Sequence, residues 1–133
     1  MNVGGDLRVR GNPPNGKSWD VAVEDPLGPG AERQRIRLLE GAVATSSRAK
    51  RCWQTADDPA HHLIDPRTGR PSDSRYVTVT AVARDAWWAE VVAKAVLIDE
   101  LRIDVGARFG ARVVTVDVGG TLTFDPELVG VAA

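Results

Sequence analysis

Tyr76 to Val82 is a run of β-branched and aromatic residues, and just behind it the periodicity changes. Tyr-Val-Thr-Val-Thr-Ala-Val suits a pleated, packed strand. From Asp85 to Leu101 the apolar residues recur at helical spacing. Trp87, Val91 and Ile98 mark one stripe, and Trp88, Val92 and Val96 widen it. Asp85 stands where an N-cap carboxylate can accept from the open amides of the first turn. This boundary predicts a strand over 76–82 followed by a helix over 85–101. A chain with only one long helix must close its core with sheet.

The other segments read as short strands. Asn2 to Arg10 reads as one strand interrupted by Gly4-Gly5, and Trp19 to Val23 alternates in strand fashion. Gln34 to Leu39, Gly41 to Ala44 and the pair Leu63-Ile64 are further strands. Arg112 to Val118 and Thr121 to Phe124 form a terminal hairpin around Gly119-Gly120. Arg48 to Asp58 reads as a loop or short helix. The pattern is α+β: a largely antiparallel sheet packed against one main helix, in a single domain over 1–133. Trp19, Trp53, Trp87 and Trp88 supply most of the aromatic bulk and are expected to anchor the core. A stacking role for Trp53 on a flavin or adenine stays open.

Charge narrows the function. The chain has 17 basic and 18 acidic residues, a formal charge of −1, with no basic stripe suited to nucleic acid. No apolar run reaches the length of a membrane span. No basic-then-apolar leader opens the sequence, so as it stands the chain reads as cytoplasmic. Cys52 is the only cysteine, which leaves no internal disulfide and no thiolate metal cluster. Beside Lys50 and Arg51 it reads as a spectator thiol, since no general base adjoins it.

The chemistry concentrates in His61-His62-Leu63-Ile64-Asp65-Pro66-Arg67-Thr68-Gly69-Arg70-Pro71. Two imidazoles, a carboxylate, a guanidinium and a hydroxyl exceed what a core-building element needs. The histidines with Asp65 suit a metal site or an acid–base pair. Asp-Pro followed by Thr-Gly defines a rigid turn that would aim Arg67 and Thr68 at one spot, so a functional loop is the favoured reading.

Three other segments carry alternatives. The Gly4-Gly5 amides and Asp6 could meet phosphate, a hydroxyl or a cation, or simply belong to a bulged edge strand. Thr45-Ser46-Ser47-Arg48-Ala49-Lys50-Arg51 is either a pyrophosphate cradle or a helix cap with a solvated basic face. Glu90 and Lys94, four apart on the helix, read from spacing alone as an ordinary surface pair.

Taken in order, several of these stretches resemble the FAD:protein FMN transferase (ApbE-type flavin transferase) family, in its C-terminal portion. They are Asn2 to Asp6, Trp19 to Pro26, Ala42 to Ser46, His62 to Gly69, and Val77 through Glu90. The His-x-Ile-Asp-Pro-Arg-Thr-Gly segment is the most specific. The resemblance implies that FAD is cut at its pyrophosphate with Mg²⁺ assisting. FMN passes to a threonine or serine hydroxyl of a target protein, and AMP leaves. His62 would orient or deprotonate the incoming hydroxyl, with Asp65 holding its loop and Arg67 and Thr68 shaping it. Gly4, Gly5, Asp6, Thr45 and Ser46 would line the flavin cleft, and Glu90 would be a metal ligand. A related hydrolase giving FMN and AMP, and a non-catalytic flavin-binding remnant, are the alternatives.

The sequence departs from the family pattern in three places. Where the family has an aspartate and, four residues on, a threonine that hold Mg²⁺, this chain has Glu90 and Lys94. Lys94 would then put a fixed positive charge where the metal sits, or pair with Glu90 and close the site. The family's glycine after Thr-Ser is Ser47 here. The family's N-terminal part, with a Gly-rich, Lys-containing segment, has no counterpart, so the chain is expected to be a C-terminal fragment or a shortened relative.

Overall fold

The computed structural model describes residues 1–3, 5–14, 16–28, 30–56, 58–100, 108–125 and 128. In chain order the elements are β1 (Asn2–Val3), β2 (Asp6–Val9), β3 (Trp19–Glu24), β4 (Glu32–Leu38), β5 (Gly41–Ser47), β6 (Cys52–Gln54) and β7 (Pro59–His61). Then come β8 (Ile64–Asp65), β9 (Arg70–Pro71), β10 (Tyr76–Ala83), α1 (Ala86–Asp99), β11 (Ala111–Asp117) and β12 (Leu122–Phe124). The main sheet has six strands in the order β1-β2-β5-β10-β11-β12, and its neighbours pair antiparallel. The fold is α+β, with one main helix on a largely antiparallel sheet.

Strand alternation divides the core in two. Ala44 of β5, Val79, Ala81 and Ala83 of β10, and Ala111 and Val113 of β11 face α1 and bury Ala89, Val92, Ala93, Val96 and Leu97. Alanines on both surfaces bring helix and sheet close together. The opposite set, Val43, Val82 and Val114, meets Val23 and Ile36 of the β3–β4 hairpin. The sheet is thus covered on both faces, and every residue of β10 is buried. Full burial of a side chain such as Ile36 or Leu97 contributes roughly 1.5–3 kcal/mol.

Several expectations are corrected. Asn2 to Arg10 is no interrupted strand but a reversal. β1 and β2 pair antiparallel, with Val3 opposite Asp6, and Gly5 at φ 105° makes the turn, a conformation that favours glycine. Gly4 lies outside the described residues. Among the described residues of Arg48 to Asp58 there is no helix; β6 pairs with β7 as a ribbon. Of the tryptophans only Trp88 packs against the helix–sheet core, and it does so from the edge. Trp87 is 68% exposed and Trp53 51%, while Trp19 and Trp88 are partly buried. Val, Ala, Ile and Leu build the interior instead, because flat sheet faces studded with alanine leave little depth for an indole.

The helix stripe shifts accordingly. Val91 is exposed with Trp87, and the buried face runs through Ala89, Val92, Ala93, Val96 and Leu97. Asp85 sits at the N-cap with extended backbone, but its side chain makes no cap bond; its carbonyl accepts from Ala89. Leu101, the predicted end of the helix, lies outside the described residues.

Candidate functional site

A cleft of about 340 Å³ opens where four pieces of chain converge. The end of β5 contributes Thr45, Ser46 and Ser47, and the loop after it contributes Lys50 and Arg51. Asp6 enters from the β1–β2 turn, His62 from the link between β7 and β8, and Glu90 and Lys94 from α1. The pairing of β5 with β2 and β10 fixes the first two pieces. Thr45 lies opposite Thr80 in that register, and their hydroxyl oxygens are 2.9 Å apart.

The two histidines separate. His61 is buried. Leu63 N donates to its Nδ1 at 3.3 Å, and its Nε2 lies 2.9 Å from the Ser72 carbonyl. The Leu63 amide and the Ser72 carbonyl thus hold this ring as a peg between two loops. His62 is exposed to the cleft. Its pKa lies below the usual imidazole range, chiefly through desolvation by the cleft wall. The charges of Arg51, His61 and Lys94 push the same way, against a hydrogen bond to the Arg51 backbone. A neutral imidazole beside a hydroxyl-bearing strand end is a suitable general base.

The turn after His62 is self-contained. Asp65 is buried and accepts from Arg67 N at 2.8 Å, Arg67 Nε at 3.0 Å and Arg67 Nη2 at 2.9 Å. That side-chain pairing, followed by the Arg67 amide, holds its carboxyl below the usual range. The Asp65 carbonyl takes the amides of Thr68 and Gly69, with Gly69 at φ 67°. Arg67 also reaches Asp99 at 3.6 Å, and Thr68 Oγ1 accepts from Arg70 N at 3.2 Å. The turn is closed largely by its own hydrogen bonds, but it does not aim Arg67 and Thr68 at the cleft: neither they nor Asp65 is among its lining residues.

Of the site residues that the resemblance implies, the fold thus brings together Asp6, Thr45, Ser46, His62 and Glu90. Gly5 borders a second groove of about 260 Å³, between the β3–β4 hairpin and the sheet. Leu7, Val21 and Val43 give that groove an apolar wall, and Thr45, Ser47 and Lys50 are shared between the two hollows. Sequence reasoning missed this apolar groove. The alternation of β5 is the signal that could have found it, since Val43, Thr45 and Ser47 share one face.

Electrostatically the cleft mixes two carboxylates, Asp6 and Glu90, with Lys50, Arg51 and Lys94. Lys50 pairs with Glu24 and Lys94 with Glu90. The described residues do not fit Mg²⁺. That ion requires several oxygen ligands in near-octahedral array. The Glu90 carboxylate is engaged by an ammonium, and no group of three or more His, Cys, Asp or Glu suited to a metal occurs among the described residues. Among those residues, too, no helix is long and apolar enough to cross a membrane.

Comparison with known proteins agrees with this architecture. Residues 1–117 match the ApbE family. The FAD:protein FMN transferase of Salmonella typhimurium is 33% identical over 91 residues, covering 68% of this chain and 26% of the relative. That of Vibrio cholerae is 28% identical over 99 residues, covering 74% of this chain and 30% of the relative. The crystal structure of the ApbE protein from Thermotoga maritima superposes with a TM-score of 0.86 at 29% identity, covering 98% of this chain and 43% of that one. An antiparallel sheet, one main helix and a histidine cleft at their junction define the class, and this chain belongs to the ApbE family. It spans less than a third of the curated relatives' length.

Proposed function

We propose that the cleft receives the pyrophosphate of FAD and carries the family's flavin-transfer chemistry. FMN passes to a threonine or serine hydroxyl of a target protein, and AMP is released. The observation that carries this reading is the convergence of His62 with Thr45, Ser46, Lys50 and Arg51 around one hollow. A phosphate diester is attacked readily only when its equatorial charge is matched and the nucleophile lies in line. Lys50 and Arg51 supply cationic donors. His62, kept neutral by desolvation and by its cationic neighbours, accepts the proton of the incoming hydroxyl. The hydroxyl oxygen bonds to the FMN phosphorus, and the bond to the bridging oxygen breaks. That oxygen leaves with AMP. The adjoining apolar groove suits a ring system continuous with the diphosphate.

The test is incubation of the chain with FAD and a threonine-bearing acceptor, read by mass spectrometry. Transfer adds FMN to the acceptor, and His62→Ala abolishes it. FMN and AMP without acceptor modification would instead mark a hydrolase. No flavin fluorescence change on titration would mark a protein that does not bind FAD.

A further inference from the structure

Glu90 and Lys94 stand one helical turn apart on α1, both partly exposed and both on the cleft wall. They form an ion pair with the acid on the N-terminal side, the favourable order for this spacing. A pair of this kind on an outer helix face is a minor surface feature. Here it is built into the one polar hollow that also collects Lys50, Arg51 and His62.

Two properties of the pair bear on what the hollow can bind. An ammonium has no lone pair and cannot ligate a cation, yet it carries three N–H donors, more than Glu90 alone requires. Its fixed charge also repels a dication at that point. Glu90, engaged by Lys94, is drawn away from service as a metal ligand. In return it holds the ammonium in place, so an arriving anion meets a cation already positioned. We propose that Lys94 is the built-in counter-charge of this cleft, and that the site takes a diphosphate without a divalent cation. This rests on the reading that a nucleotide diphosphate is the ligand, and it assigns to a side chain the neutralising role that a metal would otherwise fill.

The experiment uses the 133-residue chain and inorganic pyrophosphate as probe, with calorimetry in EDTA and again in excess Mg²⁺. A parallel titration uses Mn²⁺ alone. Wild type is expected to bind pyrophosphate in EDTA, to bind it no more tightly in excess Mg²⁺, which complexes the probe, and to take up no Mn²⁺ saturably. Lys94→Gln is expected to weaken pyrophosphate binding about tenfold, and Lys94→Arg to restore it, since both cations donate to phosphate oxygens. Circular-dichroism melts of each variant check the fold, and the EDTA comparison needs no variant at all. Binding that requires Mg²⁺, saturable Mn²⁺ uptake by wild type, no pyrophosphate binding in either medium, or an unaffected Lys94→Gln would each overturn the proposal. A chain that takes pyrophosphate without metal but shows no affinity for FAD would break the flavin reading and leave this one standing.

Discussion

In the turn from Asp65 to Gly69 the charged and polar groups find partners almost next door. Arg67 reaches Asp65 across a separation of 2 residues, and Thr68 takes the Arg70 amide across 2. At the rim formed by 45–51 a bond as local occurs, from Ala49 N to Ser47 Oγ, but two partners are remote. Thr45 meets Thr80 at a separation of 35, and Lys50 meets Glu24 at 26. The first segment is bonded mostly within itself, apart from the reach of Arg67 to Asp99. The second exists only because several elements converge, and convergence is what opens a cleft. Density of polar residues along the chain therefore ranks the two segments differently from the lining of the cleft. Where their hydrogen bonds go follows that lining.

The sharpest way to break this comparison is to remove the imidazole that the histidine-rich segment presents to the cleft. His62→Ala is expected to lower FMN transfer by about 10²–10⁴-fold, the usual scale for losing a general base. Because His62 is exposed, its loss should leave the melting temperature nearly unchanged. A transfer rate within threefold of wild type would take the histidine out of the reaction.

Asp65→Asn should show the opposite profile. It removes the charge that Arg67 is folded around, so the melting temperature falls by several degrees while folded protein keeps its affinity for pyrophosphate. The pH dependence follows from the lowered carboxyl pKa. Between the ordinary carboxylate range and the depressed folded value, the unfolded chain binds the extra proton. The stabilisation is complete above the ordinary range and is lost as pH falls through the folded value. Unfolding curves of wild type and Asp65→Asn should thus differ at pH 7 and draw together in acid. A difference that persists undiminished in strong acid would point to lost packing rather than lost charge.

The fold was largely legible, for identifiable reasons. The β-branched run of β10 and the period of α1 fall close to their predicted ranges, since neither needs knowledge of distant residues. The errors came where neighbours decide. Trp87 and Val91 have the hydrophobicity of a core stripe, but alanine-rich sheet faces select Ala89, Ala93 and Val96 for contact. The β1–β2 reversal depends on Gly5 adopting positive φ, which a bulge would have permitted as well. For the cleft, the residue types were legible and the division of labour was not. Nothing in the His61-His62 pair announces that the first ring pegs a loop through Ser72 and Leu63 while the second faces the hollow.

A smaller effect sharpens the rim's side of the comparison. Arg51 is the largest charged contributor to the lowered His62 pKa, after desolvation. Arg51→Gln is therefore expected to raise that pKa toward the ordinary imidazole value, as read from the ring's NMR titration. Lys94→Gln should act in the same direction but more weakly, in keeping with its later place among the causes. In wild type the neutral ring persists to lower pH than in a free histidine, so the acid limb of any transfer reaction should move to higher pH in both variants. A titration curve unmoved by Arg51→Gln would mean that the cations at the rim and the imidazole do not share one electrostatic environment.

The smallest effect belongs to Thr68. Its hydroxyl accepts from Arg70 N inside the turn and is exposed, so Thr68→Ala should change stability by less than about 0.5 kcal/mol, as exposed substitutions usually do. FAD affinity should stay within about twofold, an allowance smaller than the loss of one net hydrogen bond would produce. The family resemblance has Thr68 shape its loop, and its hydroxyl bonds within that turn; whether it also touches the flavin is what the substitution reads. Fluorescence titration of FAD against wild type and Thr68→Ala decides this. A fivefold loss of affinity with an unchanged melting curve would show the turn swinging toward the ligand on binding, and the contrast between a closed loop and an open rim would then hold only for the ligand-free protein.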